Sequence, residues 1–268
     1  RRFRSSNRTI KHRTHFLMNP IILENYITIL RAGAFKSKDN EIIPMSLYKW
    51  HLLEKMAKEH HVQGFLTDGI RNIKESGQQN NNIPDIDIIE KSDTSAEDTQ
   101  DIFNPSKAYL SYSVTKRKWE ELREEEMSDI HNISDETLQL LDIIIMNANY
   151  IIDSSINIEG ILLFGRFIRE NKKAIDYTKL NNWLLQTRMV TMADMLGTIL
   201  IEFFDFSQDE LPFMKTSVKN SEHIFTQALE HTFKKQRTPL YTCLHLATLE
   251  TLYHRFSGAI SVVRDVEE

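Results

Sequence analysis

The stretch "ISDETLQLLDIIIMNANYIIDSS", residues 133–155, limits the fold more than any other part of the chain. Its apolar residues cover most of a helix circumference, so it is stable in water only when other elements wrap it. Ser134 stands where an N-cap belongs, and the acids after it suit the positive end of the helix dipole. Asp142, Asn147 and Asn149 interrupt the longest apolar run in the sequence, which therefore falls short of a membrane span. The expectation is a central buried helix inside a body made of other helices.

The remaining sequence supplies those helices. The 268 residues include only 8 Gly and 6 Pro, so breakers are sparse. "NPIILENYITILRAGAF" places Ile22, Leu23, Tyr26, Ile27 and Leu30 at helical spacing, with Gly33 expected to close the helix. In the next segment Ser46 suits an N-cap, and Leu47, Trp50, Leu53, Met56 and Ala57 share a face; Gly64 and Gly69 are expected to break the pattern. Pro105 suits a first helical position. The helix expected after it carries Lys116, Arg117 and Lys118 one turn from Glu120, Glu121 and Glu124, a solvated face of ion pairs. Residues 158–173 form another helix. Leu180, Trp183, Leu184, Val190, Leu196, Leu200 and Phe203 then recur at threes and fours over one or two more, stopped by Pro212. Two further helical patterns run from 221 to 256, with Gly258 after the last. No strand pattern is strong; "ISVVRDV" at the C-terminus admits one short strand or a tail.

Charge divides the chain. Residues 1–17 carry six Lys and Arg side chains (Arg1, Arg2, Arg4, Arg8, Lys11, Arg13) and no acid. They are read as a disordered basic extension, with an organellar transit peptide and a nucleic-acid-binding arm as the other readings of that composition. Residues 85–101 carry Asp85, Asp87, Glu90, Asp93, Glu97, Asp98 and Asp101 against Lys91 alone. The fold class expected is mainly α: a multi-helix, bundle-like body with a long acidic disordered loop. Its parts are a helical region at 18–70, an acidic polar linker at 71–104, a helical domain at 105–258 and a tail at 259–268. The net charge of −5 gives no overall attraction to nucleic acid, and the single Cys243 forms no internal disulfide. Both suit a cytoplasmic protein.

Two regions resemble a family of bacterial nucleotidyltransferases. The first is 19–70, with "ILRAGAF", a Trp-bearing helix and "HHVQGFLTDGI". The second is 138–214, with "LLDIIIMNANYIIDSSINIEGILLFGRFI", "IDYTKLNNWL" and "FDFSQDELPFM". The resemblance implies helices that flank a catalytic core. That core is a mixed α/β unit with a glycine-bearing turn and a "GDID"-type strand, and a further strand supplies a third carboxylate. Only residues 71–137 lie between the two regions, and they read as a polar linker followed by a charged helix. The chain therefore looks like the family's helical body with its core lost or reduced.

The nearest equivalent of the acidic strand is "IPDIDII". Mg²⁺ needs rigidly spaced hard oxygen ligands with a triphosphate completing the shell, and Asp85 and Asp87 share a face only on a strand. Pro84 stands where the family has glycine, and "ESGQQ" offers only Ser76 and Gly77 as a phosphate turn. The adjacent His60 and His61 point in different directions on a helix and are expected to bracket a helix end. Trp50, Trp119 and Trp183 are expected to be core or interface anchors. Cys243, His245, His254 and the basic "KKQRTP" at Lys234–Pro239 are expected to be structural.

The leading expectation is a nucleotidyltransferase-like helical protein without catalytic activity. It acts as an interaction or regulatory module toward a protein partner, with no cofactor and no membrane. One alternative is a Mg²⁺-dependent nucleotidyltransferase that holds metal and nucleoside triphosphate through Asp85 and Asp87. The other is a nucleic-acid-binding protein that uses the basic arm.

Overall fold

The computed structural model describes residues 19–37, 40–76, 83, 103–128, 135–153, 156–219, 221, 225–226 and 229. Among them are eight α-helices and no strand. The mainly α expectation therefore holds for the described residues.

The first helix, α1 (Pro20–Phe35), opens on Asn19, whose side chain accepts from the Ile21 N–H, with Pro20 pre-set at the first helical position. It does not close at Gly33. It runs on to Phe35, and Lys36 then turns left-handed at φ 52° and donates to Ala32 O. Gly33 has another task. α1 lies against α3 (Gln63–Glu75), and the two backbones meet at Gly33 and Gly69. A Cβ on Gly69 would stand 2.1 Å from Ile29 O, and one on Gly33 would stand 1.9 Å from Phe65 O. Gly64 and Gly69 thus lie inside a helix rather than breaking one, and α3 continues through Arg71–Glu75, past the expected start of the linker.

Between them lies α2 (Leu47–Glu59). Ser46 takes the N-cap position without a side-chain cap hydrogen bond; Trp50, Leu53, Met56 and Ala57 are buried as the spacing predicts, but Leu47, expected on the same face, is 55% exposed at the start of the helix. The extended segment before α2 is pinned by Asn25 of α1. Its amide donates to Ile43 O at 2.8 Å and its oxygen accepts from Ile43 N at 2.9 Å.

The second half is built around α5 (Asp135–Asp153), the expected central helix. Leu140, Leu141, Ile144 and Ile145 are fully buried. Every polar interruption has a partner, as buried polar groups require. Asp142 accepts from the Trp119 indole N–H at 2.9 Å and lies 3.4 Å from Arg123. Asn147 donates to Ile143 O and Gly160 O. Asn149 repeats the device of Asn25, exchanging two hydrogen bonds with the backbone of Tyr109, at 3.1 and 2.8 Å. Pro105 begins a single 3₁₀ turn, Pro105–Lys107, and the charged helix α4 (Ser113–Ser128) starts eight residues later than Pro105 suggests. Its outer face carries Lys116–Glu120, Arg117–Glu121 and Lys118–Glu121 pairs. Its inner face buries Trp119 and Leu122.

Three helices complete this half: α6 (Ile158–Asn171), α7 (Tyr177–Gln186) and α8 (Val190–Phe203). Asn157 caps α6, and Asp176 caps α7 through the N–H groups of Thr178 and Lys179. The long pattern from 176 to 206 is two helices because Arg188 turns left-handed at φ 60° and Met189 N–H reaches back to Leu184 O. The two halves share one core, and Arg169 of α6 is a joining piece. It pairs with Glu210 at 2.9 Å, and its guanidinium lies 3.8 Å from the Phe206 ring centre and 5.1 Å from that of Phe35 on α1.

The paired asparagines give a first expected result. Asn149→Ala leaves the Tyr109 N–H and C=O without their partner, and Asn25→Ala does the same to Ile43. Each is expected to cost about 2 kcal/mol, read as a lower denaturation midpoint at unchanged m-value in urea.

Candidate functional site

Asp85 and Asp87, the carboxylate pair expected to bind Mg²⁺, lie outside the described residues. Ile83, just before them, packs partly buried against the core. Ser76, half of the candidate phosphate turn, closes α3. Its hydroxyl donates to Ile73 O at 2.7 Å and its N–H to Asn72 O at 3.1 Å. Gly77 is outside the described residues, as are residues 1–17, Lys234–Pro239, Cys243, His245 and His254, the "ISVVRDV" stretch, and most of the two helical patterns expected from 221 to 256. Trp50, Trp119 and Trp183 are all buried, as core anchors should be.

The structure instead gathers titratable groups at the corner between α2 and α3. His60 ends α2 and His61 follows with φ 57°, so the two histidines do bracket a helix end. The corner is closed by His60 N–H to Met56 O and Val62 N–H to Ala57 O, both 2.9 Å. Because His60 turns inward here, its Nδ1 lies 2.7 Å from the hydroxyl of Tyr26 on α1. Tyr26 is fully buried and His60 is 7% exposed.

Burial dominates the electrostatics. It pulls the His60 imidazole down to about 4, helped by the neighbouring charge of His61. It pushes the Tyr26 phenol well above its usual value, helped by Glu59. On α6, burial also raises Glu159, against the Phe103 N–H it accepts and the charge of His61. At neutral pH the pair is an uncharged imidazole and a protonated phenol sharing one hydrogen bond. Buried in this way, the pair joins α1 to the corner.

Two buried carboxylates are also committed. Asp142 is held by Trp119 and Arg123. Asp194 of α8 accepts from Lys215 N at 2.8 Å and from the Thr216 hydroxyl at 3.0 Å. Among the described residues no group of three His, Cys, Asp or Glu is placed to hold a metal ion, and no helix is long and apolar enough to cross a membrane. The Tyr26–His60 pair went unseen in the sequence because Tyr26 sits on the apolar face of α1, where it reads as core. The signal was its hydroxyl, which a buried tyrosine must satisfy somewhere.

No family model, no characterised protein and no solved structure matches the chain.

Proposed function

We propose that the chain is a nucleotidyltransferase-like helical body that has no catalytic role and works as an interaction or regulatory module toward a protein partner. The observation that carries this reading is the use made of two buried carboxylates; a third, Glu126, pairs with Lys179 and leaves its Oε2 without a hydrogen-bond partner. Asp142 and Asp194 each spend their oxygens on an indole N–H, a guanidinium, a backbone N–H or a hydroxyl of the fold itself. A catalytic carboxylate must keep oxygens directed at metal or substrate. The Ser76 hydroxyl is likewise committed to its own helix end. The resemblance of 19–70 and 138–214 supports the family part of the reading. Those two regions supply α1–α3 and α5–α8, which pack into one core.

Pyrophosphate release tests the absence of catalysis. With each common nucleoside triphosphate and Mg²⁺, the purified chain is expected to release no more than a protein-free blank. Release that disappears in Asp85→Asn/Asp87→Asn would replace this reading with a Mg²⁺-dependent nucleotidyltransferase. Salt-sensitive nucleic-acid binding that deletion of residues 1–17 abolishes would replace it with the basic-arm reading.

A further inference from the structure

The α2–α3 corner is fastened to α1 in an unusual way. Neither the start of α2 nor the start of α3 has a side-chain cap hydrogen bond. Four residues of α2 are buried (Trp50, Leu53, Met56 and Ala57), as many as in α3 and fewer than the nine of α1. An element with so small a buried face is among the first to open locally. At its C-terminal end a fully buried phenol and a buried imidazole are joined by a hydrogen bond, beside the left-handed residue that makes the turn.

We propose that this corner is an acid-operated joint: a proton taken up by His60 releases α2 and the α2–α3 turn from the Tyr26 face of α1. An imidazolium there would sit in a site from which water is excluded, next to a phenol and next to His61. Opening hydrates the charge, so the open form holds the proton more tightly than the closed one.

The sign follows from the groups that face His60. Tyr26 of α1 is hydrogen-bonded to His60 and the charge of His61 opposes protonation of the imidazole, while Glu59 acts on Tyr26 and Glu159 of α6 is influenced by His61. His60 takes up its proton more readily when exposed, near 6.5, than when closed, near 4. Closure is therefore complete above about pH 6.5 and weakens as pH falls toward 4. Glu159 acts in the opposite direction, because a carboxyl raised by burial is protonated more readily in the closed form. Tyr26 stays protonated throughout. Two carboxyls elsewhere are held low, and these weaken the fold only near and below pH 4.5. Glu121 is held by Lys118; at Glu210, burial is outweighed by Arg169 and Ser207.

Hydrogen exchange on the full chain, divided by intrinsic rates, reads the opening. Between pH 6.5 and 4.5 the protection of α2 amides is expected to fall by up to about tenfold per pH unit, while α5 keeps its protection. His60→Gln, which can still bond the Tyr26 hydroxyl but cannot gain the charge, is expected to flatten that dependence. An equal fall in His60→Gln, or α2 protection that does not change with pH, overturns the proposal. If His60→Gln does not fold, the imidazole resonances of the unmodified chain decide. The proposal requires His60 to titrate well below its ordinary value in the closed protein, and titration near 6.5 overturns it. Neither result depends on whether the chain is catalytic.

Discussion

Gly69→Ala is expected to lower stability by about 3 kcal/mol, and Gly69→Val to leave little folded protein. The added Cβ would stand 2.1 Å from Ile29 O and 2.9 Å from Ile29 C, both backbone atoms of α1. Backbone in mid-helix has no rotamer to change, so α1 and α3 must separate along the contact that holds the first half together. Gly33→Ala meets the same barrier from the other side, at Phe65 O. Gly64 is the internal control. A Cβ there meets nothing within 4 Å, and Gly64→Ala is expected to stabilise α3 by about 0.5–1 kcal/mol through its better helix propensity. Urea denaturation of the three alanine variants checks the contrast. Equal effects at positions 64 and 69 would mean that α1 and α3 are not in the contact described.

Asp194→Ala carries the second large effect. Asp194 is 4% exposed and holds the segment after α8 through Lys215 N and Thr216 Oγ1. Thr198, one turn on, accepts from Val218 N at 3.1 Å. Removing the carboxylate takes the partner from the Lys215 N–H and the Thr216 hydroxyl and leaves space where the side chain was. The expected cost is about 3 kcal/mol. Asp194→Asn keeps the volume and an oxygen for Lys215 N, and is expected to lose about 1 kcal/mol. The order Ala worse than Asn, measured by denaturation midpoints, separates loss of the hydrogen bonds from loss of charge. Similar costs for both would point to the charge itself.

Helical periodicity made much of this architecture legible. The buried faces of α1, α2 and α5 follow from apolar spacing, because a helix wrapped by others must be apolar where it is wrapped. The caps at Asn157 and Asp176 obey local rules, yet the caps expected from the sequence are Ser46 and Ser134 instead; Ser46 makes no side-chain cap hydrogen bond, and Ser134 lies outside the described residues. What the sequence hid is long-range. A glycine reads as a breaker when its partner is unknown, and Gly69 matters only because Ile29 O lies against it. Asn147 and Asn149 read as flaws in an apolar run until Gly160 O and Tyr109 are seen opposite them. α3 was absorbed into a broken pattern, and the two helices expected from 221 to 256 lie mostly outside what is described. His60 was recognised as a helix end, whereas its bond to Tyr26, 34 positions earlier, required the fold. For the site first suggested by "IPDIDII", local spelling was all the sequence offered. Its chemistry depends on whether those residues lie on a strand beside a third carboxylate.

On the proposed reading, this helical body does not bind nucleoside triphosphate and metal for catalysis. A thermal-shift titration with the four common nucleoside triphosphates, each with and without Mg²⁺, tests it most directly. A ligand bound only by the folded state stabilises by about 2.7 kcal/mol at 100 times its dissociation constant, which moves the midpoint visibly. A single cooperative transition that no nucleotide moves is expected. A Mg²⁺-dependent rise that Asp85→Asn/Asp87→Asn abolishes would contradict it and make those two carboxylates the working centre of an enzyme.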